Sequence, residues 1–143
     1  MVHEVPAAPG VTTDSVRLFV AEQWPDAPVA TCVEISGRHV VTTMDVTEAS
    51  IRPGGFISGP TQFSIADLAL WYAVFGAVGL EAMALTSELS IRFVRPALGL
   101  VLQARADLHS VGSRNIVGSV TIWTDDEDKP TALCQGTYVL PRA

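Results

Sequence analysis

Apolar and polar residues follow two different periods along the chain, and the change from one to the other outlines the fold. From Ser58 to Gly76 the sequence reads as one helix, apolar on nearly every face, with a single charge, Asp67, in its middle. Ser58 and Gly59 mark its start, and Pro60 suits the first helical position, where a missing N–H costs nothing. A helix apolar all round has to be wrapped by something large. A carboxylate inside such a helix is expensive to desolvate unless it has partners or a task. Asp67 also lies about two turns past the helix start, beyond the reach of the dipole.

The flanking segments divide differently. Residues 1–11 read as loose. Residues 12–24 read as a short amphipathic helix, with Thr13 as cap, Asp14 in the first turn, and Val16, Phe19 and Val20 along one side before Pro25 ends it. Ala30 to Ile35 and His39 to Val46 flank the turn Ser36-Gly37-Arg38 and predict a hairpin. Thr47 to Ile57 contains Arg52-Pro53-Gly54-Gly55, too glycine-rich for regular structure. Ser87–Val94, Leu100–His109, Ile116–Trp123 and Ala132–Leu140 follow as strands. In the first, Leu89, Ile91 and Phe93 share a face opposite Ser90 and Arg92. In the second, Leu100, Leu102, Ala104, Ala106 and Leu108 alternate with Gln103, Arg105, Asp107 and His109. An antiparallel sheet that curls round the apolar helix buries both elements, so the expected architecture is α+β, a hotdog fold of about six strands in one domain spanning the chain. The sheet edge and outer face need cover, which predicts a homodimer or a larger homo-oligomer.

Composition narrows the partners. Of 143 residues, 48% are hydrophobic and 17% charged, which excludes a disordered chain and leaves apolar surface for burial between subunits. A net charge of −6 argues against a nucleic-acid partner. It leaves small anions open, because a few local arginines bind them regardless of net charge. Cys32 and Cys134 are too few for a disulfide framework, and His3, His39 and His109 are too scattered for a metal site. No signal-peptide pattern opens the chain, and the apolar run from Ile65 to Leu80 is short and interrupted for a membrane span. A cytoplasmic protein with no membrane partner is expected.

The helix start carries a resemblance. Ser58-Gly59-Pro60, then six residues, then Asp67-x-Ala69, with Ile65-Ala66 before the acid, resembles the signature of hotdog acyl-coenzyme A thioesterases of the phenylacetate-degradation (PaaI) type. That family shows His-Gly-Gly, six residues and Asp-x-Ala. The run Leu89-Ser90-Ile91-Arg92-Phe93-Val94-Arg95-Pro96-Ala97 is similar to the family's apolar strand ending in a Pro-Ala turn. The resemblance implies hydrolysis of an acyl thioester of coenzyme A or of an acyl-carrier protein, the thioester being substrate and no cofactor being needed. It implies that the Gly59 amide polarises the carbonyl while Asp67 of a second subunit activates water or attacks. Thr86 falls where relatives place a hydroxyl that orients the water. Arg95 and Arg114 fall where contact with coenzyme phosphates is implied.

The residues themselves support these roles and leave alternatives open. Thioester hydrolysis needs a donor for the developing oxyanion and a base or nucleophile beside the carbonyl carbon. A free N–H at a helix N-terminus is such a donor, and a glycine lets substrate approach it. Ser58 replaces the family's His and either bonds a carbonyl or caps the helix; Pro60 replaces its second Gly at the edge of the substrate site. Arg52 replaces an Asn and either binds a carboxylate or phosphate or pairs with Asp67 and silences it. Thr86 alternatively faces solvent at a strand edge. Phe56 and Phe63 either border an acyl pocket or belong to core or interface. The competing function is a silent hotdog protein that binds an acyl thioester or apolar acid without cleaving it.

Overall fold

The computed structural model describes residues 4–142. The elements run α1 (Thr13–Gln23), β1 (Thr31–Ile35), β2 (His39–Asp45), a 3-10 turn (Glu48–Ser50), α2 (Gly59–Val78), β3 (Leu85–Phe93), β4 (Val101–Val111), β5 (Asn115–Trp123) and β6 (Ala132–Val139). The strands form one antiparallel sheet in the order β1-β2-β4-β5-β6-β3, curled around α2. This is the hotdog fold the apolar helix demanded. By length and composition α2 would also cross a membrane. Here it is the core: from Ile65 to Gly76 every residue is buried except Asp67.

How deeply the helix seats is set by two glycines. Gly118 of β5 and Gly136 of β6 are cross-strand partners, and a Cβ on either would meet a methyl of Leu70, at 2.9 Å for Gly118 and 3.0 Å for Gly136. Leu70 is 2% exposed. Its forked end fills the space that both strands leave bare, so the helix lies closer to the sheet than any side chain there would allow.

Strand faces largely follow the alternation. Leu102, Ala104, Ala106 and Leu108 of β4 are buried, as are Val40, Thr42 and Met44 of β2. Leu100 is the exception at 85% exposed. The strand begins one residue later, and the Leu100 carbonyl accepts from Val46 N–H at 2.9 Å. The cap of α1 is Thr12, reciprocated by Ser15, rather than Thr13. The N-terminal segment expected to be loose has no helix or strand, yet it is tied down. Gly37 N–H donates to the Val5 carbonyl and Ala8 N–H to that of Gly76, both at 2.8 Å, and Val11 is buried; residues 1–3 lie outside the described residues. Cys32 and Cys134 are free and buried in the core.

β3 closes the sheet on one side with its outer edge unpaired. Leu85 and Phe93 at its two ends are 63% and 50% exposed. Between Thr86 and Glu88 its register against β6 shifts, a bulge at Ser87.

The seat of the helix is open to test. Gly136→Ala should lower the unfolding free energy by about 1–3 kcal/mol, because the new methyl meets Leu70, Leu89 and the Glu88 carbonyl in a filled core. Urea denaturation with an unchanged slope checks it; wild-type stability would mean that Leu70 has room to move.

Candidate active site

The loop before α2 is organised to present the helix start. Arg52 N–H donates to the Phe56 carbonyl at 2.9 Å, closing a turn through Gly54 and Gly55, both at positive φ. Ile57 N–H then bonds the Ala97 carbonyl and Ser58 N–H that of Ser50, each at 2.8 Å. Buried Gln62 ties the first turn to the sheet by accepting from Thr131 Oγ1 at 2.9 Å. Ser58 is the N-cap: its Oγ accepts from Thr61 N–H at 3.2 Å and shares a hydrogen bond with Thr61 Oγ1 at 2.8 Å.

A helix leaves its first four N–H groups without intrahelical acceptors. Pro60 has none to leave, and Thr61 and Gln62 donate to the Ser58 side chain and carbonyl. The Gly59 amide is the one that remains without a partner among the described residues. Gly59 lines a cavity of about 560 Å3 together with Arg52, Phe56, Phe93 and Arg95. The Phe93 ring stands 3.2 Å from where a Gly59 side chain would begin.

Asp67 sits elsewhere. Its half-buried carboxylate lines a separate cavity of about 260 Å3, walled by Trp24, Leu68, Trp71 and Leu85. Thr86 Oγ1 donates to Asp67 Oδ1 at 2.7 Å. Tyr138 Oη donates to the same oxygen and lies 3.0 Å from the Asp67 carbonyl. Thr86 and Tyr138 are register partners in β3 and β6. The bulge at Ser87 is what brings Thr86 inward. Strict alternation from Leu89 and Ile91 sends Thr86 out with Ser90 and Arg92, and one extra residue reverses the parity. Thr86 thus turns its hydroxyl to Asp67 from the inner side of the sheet, while the residue stays exposed in the single chain.

One chain does not bring the two halves together. Gly59 and Asp67 are eight residues apart on the same helix, about 12 Å along its axis. Arg52 does not silence Asp67 within the chain: its Nε donates to the Pro53 carbonyl, and no cation of the described residues lies within ion-pair distance of the acid. Arg95 reaches the Gly59 cavity, with Nη1 on the Pro130 carbonyl at 3.0 Å. Arg114 does not join them. It precedes β5 at the far end of β6, and its buried Nε has no partner among the described residues. Phe56 borders the Gly59 cavity, whereas Phe63 is 38% exposed on the helix and lines no cavity with it. Ser58 and Pro60 line a third hollow, with Pro28, Thr61 and Ser64.

Tyr138 is the residue that the reading of the sequence missed. It alternates inward with Ala132, Cys134 and Gly136, and an inward tyrosine requires a partner for its hydroxyl. Burial, with the Asp67 charge added, pushes the Tyr138 phenol far above its ordinary range, so it stays a donor. The same causes raise Cys134 from 9.0 to about 12, and burial raises Cys32 to about 11.

These features define a hotdog protein with an uncommitted helix amide and a hydroxyl-braced carboxylate. Residues 54–131 match the sequence profile of the thioesterase superfamily. The chain belongs to that family. No curated protein matches it by sequence. Among solved structures it is similar to a Silicibacter sp. TM1040 protein proposed to be a thioesterase, at 25% identity and a TM-score of 0.86 over 99% of this chain and 100% of that one. It shares the fold of the Escherichia coli PaaI protein of the phenylacetic acid degradation operon (24% identity, TM-score 0.71, 88% and 94% covered). It also shares that of a Streptococcus mutans protein bound to acetyl-CoA (22%, 0.69, 79% and 89%).

Two outcomes follow from the local chemistry. Ser58→Ala should cost about 1 kcal/mol in urea denaturation through loss of the cap, while Ser58→Asp, an equally good cap, retains most of it. The raised thiols set an alkaline limit. Below the unfolded value of 9.0 their contribution is fully present, and stability is lost as pH climbs towards about 11 and about 12, because only the unfolded chain releases those protons. Urea titrations at successive alkaline pH values check the slope; a rise in stability above pH 9.0 contradicts it.

Proposed function

We propose that this protein hydrolyses an acyl-coenzyme A thioester to the free acid and coenzyme A, at a site shared between two copies of the chain. The observation that carries the reading is the Asp67 carboxylate, braced by Thr86 and Tyr138 at the wall of an open cavity with no cation of the described residues beside it. Membership of the thioesterase superfamily supports the reaction class. The spacing of Gly59 and Asp67 supports the PaaI-type arrangement, and the acetyl-CoA bound to the Streptococcus mutans protein supports the coenzyme.

A second copy supplies what one chain lacks. The unpaired edge of β3 and its exposed Leu85 and Phe93 are a surface that another β3 covers by antiparallel pairing. Gly59 of one chain then faces Asp67 of the other. Water beside Asp67 Oδ2 passes a proton to the carboxylate as its oxygen adds to the thioester carbonyl, and the Gly59 amide donates to the oxygen that turns negative. Collapse breaks the C–S bond, and the proton moves from Asp67 to the departing thiolate. Water and thioester become acid and thiol.

Ser58 serves this scheme as the cap that leaves the Gly59 amide free, and Pro60 removes a competing donor. Arg52 and Arg95 offer guanidinium groups to coenzyme phosphate or to a carboxylate on the acyl chain. Arg114 contributes only from the other chain or to the phosphates at the periphery. Phe56 borders the acyl group on the Gly59 side, and Phe63 joins the subunit interface.

Thiol release from short, medium and aromatic acyl-coenzyme A compounds tests the reading. Asp67→Asn should lower kcat/KM by about a hundredfold or more, with the dimer intact by size exclusion. Binding of the panel without thiol release favours the silent binder, and an unchanged rate in Asp67→Asn removes the base.

A further inference from the structure

We infer that Tyr138 is the positioning residue for Asp67: together with Thr86 it occupies Oδ1, so that Oδ2 is the oxygen left to take a proton. The inference rests on the hydrolytic reading above and adds a residue to it.

The geometry is specific to one oxygen. Thr86 Oγ1 donates to Oδ1 at 2.7 Å, and Tyr138 Oη donates to that same atom. A hydroxyl has one proton to give, so the Tyr138 approach of 3.0 Å to the Asp67 carbonyl fixes the ring's placement without drawing the proton away from the carboxylate. Two O–H donors on one oxygen remove rotation about the carboxylate's own axis.

Tyr138 is 5% exposed and stands at an inward position of β6, two residues beyond Gly136. Asp67 is one helical turn before Leu70, which seats on Gly136. The phenol therefore lies where the depth of the helix is already fixed, and it reads that depth out as the position of the carboxylate. Thr86 arrives from an edge strand and depends on the bulge; Tyr138 arrives from the interior of the sheet. Of the titratable groups on the elements packed round Asp67, Tyr72 shares α2, Cys134 lies on β6 and Glu88 on β3; after burial, Asp67 and Glu88 raise the Cys134 thiol, and Asp67 and Tyr72 raise the Tyr138 phenol. Glu81, on the loop that carries Ala82, is turned onto the Met83 N–H at 3.0 Å. The phenol and the thiol keep their protons, because burial raises both.

Tyr138→Phe removes one hydroxyl and keeps the ring. Full-length wild type, Tyr138→Phe, Thr86→Val and Asp67→Asn would be compared for thermal midpoint, for kcat and KM separately, and for the carboxyl carbon resonance of Asp67 by NMR of isotope-labelled aspartate at one fixed pH. Tyr138→Phe should lower kcat about tenfold with KM within about twofold, as expected for loss of one hydrogen bond to a charged group. The carboxyl carbon resonance of Asp67, read at one fixed pH, should change its position, because one donor to Oδ1 is gone. Thr86→Val should change it as well, through the other donor. A loss of kcat with that resonance unchanged means that the ring merely packs, and overturns the inference, as does an unaltered kcat. Movement of the resonance in a protein whose turnover is indifferent to Asp67→Asn strikes down the hydrolytic reading instead, and leaves the phenol's hold on the carboxylate standing.

Discussion

The contact on which the rest depends is that of Leu70 with the bare backbone of Gly118 and Gly136. An apolar helix inside a curled sheet has no charge pattern to fix its height or rotation, since nearly all of its faces are equally content to be buried. Two facing glycines under one branched side chain supply what the hydrophobic effect lacks, a definite place. Close packing transmits that placement along the helix. One turn towards the N-terminus it becomes the approach of Asp67 to Tyr138, and at the first turn it becomes the bond between Gln62 and Thr131 that presents Gly59.

The site is accordingly a matter of distances along one rigid rod. The amide at Gly59 and the carboxylate at Asp67 belong to the same helix and open into different cavities. Bending α2 to unite them is not an option for an element buried along its length. The proposed hydrolysis therefore calls on a second copy of the same rod, turned about. The acidic net charge is no obstacle to an anionic coenzyme, because Arg52 and Arg95 stand together at the Gly59 cavity with no carboxylate among the residues lining it.

The fold was legible in the sequence because burial on all sides of a helix and on one side of each strand are opposite demands that few architectures satisfy at once. The alternation of β4 and the apolar faces of α2 were enough to specify it. The helix start was legible too, since Ser58, Gly59 and Pro60 each answer to a different rule of helix termini. What escaped was everything that depends on parity across strands. For Thr86 two readings stayed open, a hydroxyl at the site and one turned to solvent, because a bulge, which leaves no residue-type signature in Ser87, reverses the count along β3. Tyr138 was invisible as a functional group because its partner lies 71 residues away in sequence. The segment before α1 looked loose for want of periodicity, although backbone hydrogen bonds at Val5 and Ala8 hold it without any pattern of side chains.

The Ser87 bulge also bears on how this chain should be compared with others. An alignment that lets a gap fall anywhere between Leu85 and Leu89 treats the intervening residues as interchangeable spacers, yet they lie on opposite sides of the sheet. A relative one residue shorter here would present a different side chain to its acid, whatever letter the alignment stacks beneath Thr86. Counting from Tyr138 across the β3–β6 ladder, rather than along β3, is the safer way to decide which hydroxyl corresponds to which.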